Sequence, residues 1–212
     1  MPKLPQTDIY AITDSRLSLG RSVEEVVAAL LAANVKIIQY REKDKRAGEM
    51  LRECERLRAM TKEAGAFFIV NDHVDIAALV KADGVHVGQD DLPVARVREL
   101  MGNECVIGLS THSPEQFAGA VRDGADYIGV GPIYATQTKE DVCKPVGLTY
   151  LDHAAREKAI PFVAIGGIKR HNIADVIRHG ASCCCLVSEL VGAEDIITRV
   201  AEVRKAMREA GI

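Results

Sequence analysis

The 212-residue chain has no tryptophan and only 4% aromatic residues, which removes the stacking platforms that single-stranded nucleic acid requires. It also lacks an excess of either charge. Lys plus Arg number 27 against 30 Asp plus Glu, a net charge of −3, so nothing draws the molecule broadly to nucleic acid or to an anionic membrane. Any anion it binds must meet local positive groups. Nowhere do about 18 apolar residues run without a charge, which argues against a membrane-spanning helix. Met1 to Thr7 carry no apolar core of signal-peptide length, so a cytoplasmic location is expected. The six cysteines, at 54, 105, 143, 183, 184 and 185, show no CxxC spacing and read as reduced thiols, not as a disulfide framework. The run Cys183-Cys184-Cys185 suggests a metal site until it is placed on a strand, where alternate side chains face opposite ways and cannot converge on one ion.

What the chain does have is apolar residues, 48% of the total, enough to build a sizeable core. Short β-rich apolar runs alternate with longer segments of helical period: 9–13, 36–41, 67–71, 84–87, 106–110, 127–131, 162–166 and 183–187. Most are nearly continuous in apolar residues, as strands buried on both faces should be. Eight such units, with no linker or low-complexity tract between them, predict one (β/α)8 TIM barrel spanning residues 1–212; an open doubly wound sheet is the weaker alternative. Ser22 with Glu25 forms a capping box, and Ser113, Pro114 and Gln116 repeat that logic, so helices are expected to start near 23 and 114. Segments 48–63 and 194–210 read as amphipathic outer helices.

In such a barrel the functional residues gather where strands end. After strand two comes Gln39-Tyr40-Arg41-Glu42-Lys43, in which Gln39, Arg41 and Lys43 share one parity and are expected to point to the same side of an extended strand. An Arg fork and a Lys point charge suit phosphate or diphosphate oxygens; the bland alternative is a solvated strand end with ordinary ion pairs to Glu42 and Asp44. Strand three ends in Asn71-Asp72 and strand four in Gly88-Gln89-Asp90-Asp91. Carboxylates from neighbouring strands would repel unless a cation lay between them, and Mg²⁺ takes one or two carboxylates and completes its shell with water and substrate phosphate. The alternative is that they cap the following helices, a role that fits Asp90 better than Asp91.

Strand six runs into Gly129-Val130-Gly131-Pro132-Ile133-Tyr134, which is no dinucleotide fingerprint, because a tyrosine holds the third glycine's place and no helix starts there. The segment through Pro145 reads instead as a mobile active-site lid in which Lys139 could close over a diphosphate. Strand seven ends in Gly166-Gly167, and strand eight in Val187-Ser188 ahead of a short helix. Backbone N–H groups there would form the monophosphate site common to this barrel class, built from uncharged groups. A diphosphate ester and a monophosphate ester are the implied ligands.

The motifs QYREK (39–43), VNDHVDIA (70–77), GVHVGQDD (84–91), GLSTH (108–112), GVGPIYATQTK (129–139), IGGI (165–168) and VS (187–188) together resemble the thiamine-phosphate synthase family over nearly the whole chain. The resemblance implies a Mg²⁺-dependent enzyme that joins hydroxymethylpyrimidine diphosphate to a thiazole phosphate or its carboxylated form. It implies that Gln39, Arg41, Lys43, Asn71, Ser110 and Lys139 hold the pyrimidine diphosphate and that Arg41, Lys43, Ser110 and Lys139 carry the catalysis. Asp72 and Asp91 would hold Mg²⁺, and Thr136, Thr138, Gly167, Val187 and Ser188 the thiazole phosphate. No nucleic acid or membrane partner is expected, and homo-oligomerisation is left open. Three rival readings stand beside this: a sugar-phosphate epimerase using His73 and His86, a thiazole tautomerase with a histidine where Pro132 stands, and a silent binding relative that has lost its Mg²⁺ ligands or Lys139. The remaining histidines, His112, His153, His171 and His179, read as surface or capping residues.

Overall fold

The computed structural model describes residues 3–138 and 143–211. Eight parallel strands close in sequence order into a barrel: β1 (Ile9–Ile12), β2 (Ile37–Tyr40), β3 (Phe67–Asn71), β4 (Gly84–Val87), β5 (Val106–Thr111), β6 (Tyr127–Val130), β7 (Phe162–Ala164) and β8 (Cys184–Leu186). Every strand was legible as an apolar run, and closure to β1 through Ile9 opposite Cys184 settles the barrel against the open sheet. The helices are α1 (Val23–Ala32), α2 (Ala47–Glu63), α3 (Val74–Leu79), α4 (Val94–Met101), α5 (Pro114–Arg122), α6 (Gly147–Glu157), α7 (Ile173–Arg178), α8 (Ser188–Val191) and α9 (Ile196–Ala210). Among the described residues no helix is long and apolar enough to cross a membrane.

Local chemistry sets the helix starts where the sequence put them. Ser22 and Glu25 make the reciprocal capping box of α1, Ser113 Oγ accepts from the Gln116 N–H with Pro114 in the first turn of α5, and Asp195 caps α9 by accepting from the Thr198 N–H. Each satisfies a backbone donor that the first helical turn leaves unpaired. Arg204 on α9 fastens the last helix to the first unit, donating to Asp8 at 2.7 Å and to the Ala33 carbonyl at 2.5 Å.

Strand alternation produces two apolar layers. Ile9, Ala11, Ile38, Phe68, Val70, Val85, Ile107 and Ile128 pack outward under the helices, while Tyr10, Ile12, Ile37, Ile69, Val106, Tyr127 and Val163 fill the barrel. The three-cysteine strand obeys the same rule: Cys183 and Cys185 point into the barrel and Cys184 joins the outer layer. All three are buried, so the run is packing and not a ligand set.

Candidate active site

The barrel's interior is not wholly apolar. Near its mouth a chain of side chains crosses it: Gln39 Nε2 donates to the Tyr10 hydroxyl at 2.7 Å, Tyr10 meets the Tyr127 hydroxyl at 2.9 Å, Tyr127 meets His86 Nδ1 at 2.9 Å, and His86 Nε2 meets Ser110 Oγ at 2.9 Å. Gly108 makes this fit, because a Cβ there would lie 2.2 Å from Tyr127 Cζ and 2.4 Å from His86 Nδ1. Burial pushes both phenols well above their ordinary pKa, so both remain protonated. Tyr10 and Tyr127 escaped the sequence reading because inward-facing aromatics on strands look like ordinary core.

The cations of QYREK sit beyond the regular part of β2, and the structure corrects the expectation that they point to one side. Arg41 turns toward the end of β1, where its Nη1 lies 2.8 Å from Asp14 Oδ2, and its backbone N–H donates to Thr13 Oγ1 at 3.1 Å. Lys43 turns the other way, toward the end of β3, with Nζ 2.6 Å from Asp72 Oδ2. Strand parity stops governing direction once the chain leaves the sheet at Tyr40. Asp14 was not picked out in the sequence, though it is a polar residue just past a strand and shares the signal used for the others. Glu42 is buried, its Oε1 accepting from the N–H groups of Lys43 and Asp44. Burial raises its pKa, but N–H donation from Asp44 outweighs that, helped by Ser15, Lys43 and Lys45, and the carboxyl ends below its usual range.

Asp72 and Asp91 close the acidic side of the mouth. Asp72 holds a left-handed backbone, φ 59°, and its N–H donates to the His86 carbonyl at 2.9 Å. Asp91 Oδ2 accepts from the Gly88 N–H at 2.7 Å. Neither caps a helix: the N-cap position of α3 is held by His73 and that of α4 by Pro93, both without a side-chain cap. The capping alternative fails for Asp90 as well. Asn71 lies beside His86 in the β3–β4 register, and Gln89 Nε2 donates to the Ser110 carbonyl at 2.6 Å.

Across the mouth, Gly166 and Gly167 turn with φ of 99° and 64°, conformations that other residues adopt only with strain. The loop after β6 lies against them: Tyr134 N–H donates to the Gly166 carbonyl at 3.0 Å, and a Cβ on Gly167 would come within 2.6 Å of the Ala135 carbonyl oxygen. Thr136 and Thr138 follow at once, their hydroxyls 3.2 Å apart. Ser188 opens α8 directly after Val187. The expectation of a site without charge needs correction, since Lys169 Nζ donates to Ser188 Oγ at 2.7 Å and lies 3.6 Å from Glu189 Oε2. Lys169 went unnoticed because it lies past the glycine motif, on the way to α7. Lys139 falls outside the described residues.

The histidine-based metal reading is not supported. Both His86 nitrogens are held by Tyr127 and Ser110, and among the described residues no three His, Cys, Asp or Glu side chains are grouped to hold an ion. Two carboxylates alone still suit a cation that keeps most of its shell as water and phosphate.

Comparison with known proteins decides the family. A profile described as thiamine monophosphate synthase matches residues 9–190. The chain belongs to the thiamine monophosphate synthase family. It is 62% identical over 200 residues to the thiamine-phosphate synthase of Lawsonia intracellularis, covering 94% of this chain and 92% of that one. Identity to the thiamine-phosphate synthase of Pelotomaculum thermopropionicum is 60% over 201 residues, 95% and 92% of the two chains. The solved thiamine phosphate pyrophosphorylase of Pyrococcus furiosus superposes with a TM-score of 0.87 at 35% identity over 97% of each chain. A 3-hexulose-6-phosphate synthase shares the fold alone, at TM-score 0.67 and 19% identity. Membership makes the chain a transferase of thiamine biosynthesis, whose activity is the synthesis of thiamine phosphate.

Proposed function

We propose that this barrel, acting as one unit in the cytoplasm, joins 4-amino-2-methyl-5-hydroxymethylpyrimidine diphosphate to 4-methyl-5-(2-phosphoethyl)thiazole or its carboxylated form. The carrying observation is that one mouth presents two separate anion-suited ends: Arg41 and Lys43 with Asp72 and Asp91 on one side, and the Gly166–Gly167 turn with Thr136, Ser188 and Lys169 on the other.

Gln39, Arg41, Lys43, Asn71, Ser110 and Lys139 hold the pyrimidine diphosphate in this reading. Thr136, Thr138, Gly167, Val187 and Ser188 receive the thiazole phosphate. Asp72 and Asp91 suit Mg²⁺ chemically: both are hard oxygen donors, and among the described residues no side chain or N–H engages the Oδ1 of either. When bound there, Mg²⁺ would neutralise charge on diphosphate oxygens.

The bond from the pyrimidine's methylene carbon to the diphosphate oxygen breaks, and its electron pair leaves with the diphosphate. The thiazole nitrogen's lone pair then forms the new C–N bond to that carbon. The aminopyrimidine ring is electron-rich enough to carry the transient positive charge, and the thiazole nitrogen has no proton to lose, so neither a protein nucleophile nor a general base is needed. Arg41, Lys43 and Lys139 stabilise the charge growing on the leaving group. Asp14 holds the Arg41 fork in place before substrate arrives, which lowers the cost of ordering it.

Incubating the protein with both substrates, with and without Mg²⁺, and following thiamine phosphate and diphosphate by chromatography tests this. Mg²⁺-dependent release of both products is expected. Interconversion of thiazole tautomers without either product would overturn it.

A further inference from the structure

We propose that the buried chain Gln39–Tyr10–Tyr127–His86–Ser110 has a fixed polarity that makes Ser110 a hydrogen-bond donor toward substrate, with His86 as its positioning residue. Its substrate half rests on the reaction proposed above; its first half concerns the free protein alone.

The direction follows from the amide at the head of the chain, which presents its NH2 end to Tyr10. Gln39 Nε2 carries only donor hydrogens, and it lies 2.7 Å from the Tyr10 oxygen. Tyr10 therefore accepts from Gln39 and gives its own proton to Tyr127, 2.9 Å away. Tyr127, now an acceptor, gives its proton to His86 Nδ1 at 2.9 Å. A neutral imidazole that accepts at Nδ1 carries its hydrogen on Nε2. That hydrogen points at Ser110 Oγ, 2.9 Å away. Ser110 thus accepts from the histidine, and its own hydroxyl hydrogen is left for the mouth.

Several features hold this direction. Tyr10, Gln39 and Tyr127 are buried, so water does not compete for their hydrogens, and a buried donor left without an acceptor would be costly. Gly108 leaves room for Tyr127 and His86 where any side chain would displace them. The Ser110 carbonyl is occupied by Gln89 Nε2 at 2.6 Å, which fixes the serine's backbone. The chain spans β2, β1, β6, β4 and β5, so it ties the diphosphate side of the mouth to the serine.

The consequence is a selection rule. An atom of the pyrimidine substrate seated against Ser110 must be an acceptor, a ring nitrogen or a phosphate oxygen, and an amino group there would face a hydrogen instead of a lone pair. With the opposite polarity, His86 would carry its hydrogen on Nδ1 and Ser110 would spend its proton on Nε2, presenting lone pairs to the substrate.

Nitrogen NMR of ¹⁵N-histidine-labelled, ligand-free protein separates these states, because protonated and bare imidazole nitrogens resonate far apart. The His86 signals are assigned by singly replacing the other five histidines, so His86 itself stays intact. We expect the neutral Nε2–H tautomer; an Nδ1–H tautomer or an imidazolium would overturn the proposal whatever the enzyme's activity. In Tyr127→Phe the bias should be lost and KM for the pyrimidine diphosphate should rise roughly tenfold, the scale of one buried hydrogen bond. KM for the thiazole phosphate should hold, and Ser110→Ala should add little to the first change, since both variants remove the same donated hydrogen. Equal rises in both KM values, or full additivity, would show a merely structural role and overturn the substrate half. Absence of thiamine phosphate formation by the unmodified protein would instead remove the reaction and leave the tautomer result standing.

Discussion

Lys43 Nζ lies 2.6 Å from Asp72 Oδ2, so a cation expected to face diphosphate rests in the free protein on a carboxylate expected to face Mg²⁺. The pair is partly open to solvent and contributes little stability on its own. In the proposed reaction its value would be placement: the lysine would need only to swing from carboxylate to phosphate oxygen when substrate enters.

Asp72→Asn therefore tests the metal assignment cleanly. Asparagine tolerates the left-handed backbone that Asp72 holds at φ 59° better than alanine does. Turnover at saturating Mg²⁺ should fall by about a hundredfold or more, with Asp91→Asn behaving alike. Circular dichroism should show both variants folded. A Mg²⁺ activation curve unchanged in both would refute the assignment.

Lys169→Met should raise KM for the thiazole phosphate by about tenfold, the worth of one charge-assisted hydrogen bond at a partly exposed site. KM for the pyrimidine diphosphate should not move. The gap between variant and parent should narrow as salt is added, because screening weakens the lysine's contribution in the parent. A salt-independent effect would mean that Lys169 acts only by holding Ser188 Oγ.

The barrel was legible in the sequence because its strands are apolar on both faces and its helices carry their own start signals, as at Ser22 and Ser113. Asp72 and Asp91 were legible as polar residues at strand ends, whereas Ser110 was legible only through the family's motif. What escaped was whatever depends on which strand neighbours which. Asp14 becomes Arg41's partner only once β1 lies beside β2, and Tyr10 and Tyr127, 117 positions apart, meet only across a closed barrel. Lys169 reaches Ser188 from one strand unit to the next, a contact without periodicity to announce it.

Gly108→Ala should be far more harmful than its size suggests. The added methyl would sit 2.2 Å from Tyr127 Cζ and 2.4 Å from His86 Nδ1, and moving either ring would disturb the hydrogen bonds that hold both. Overpacking of this kind costs about 1–3 kcal/mol, and urea unfolding should show a midpoint lowered accordingly. An unchanged midpoint would mean that the two rings are held less tightly than their hydrogen bonds indicate.

Alkaline stability should reveal the cysteine strand. Burial pushes the Cys184 thiol from 9.0 to about 12, raises Cys183 and Cys185 as well, and lifts Cys54 to about 12 and Cys105 to about 11. The folded protein thus keeps these protons where the unfolded chain releases them, so stability is whole below pH 9 and declines as pH rises through 9 toward 12. Urea midpoints taken between pH 8 and about 10.5 should fall, and Cys184→Val should flatten that fall, since valine fills much the same apolar space without a proton to lose. At neutral pH a thiol reagent should meet one fast site, the exposed Cys143, with the five buried thiols reacting only on unfolding. Two or more fast sites in the native protein would place a second thiol at the surface, and a slope unaffected by Cys184→Val would assign the alkaline loss to other groups.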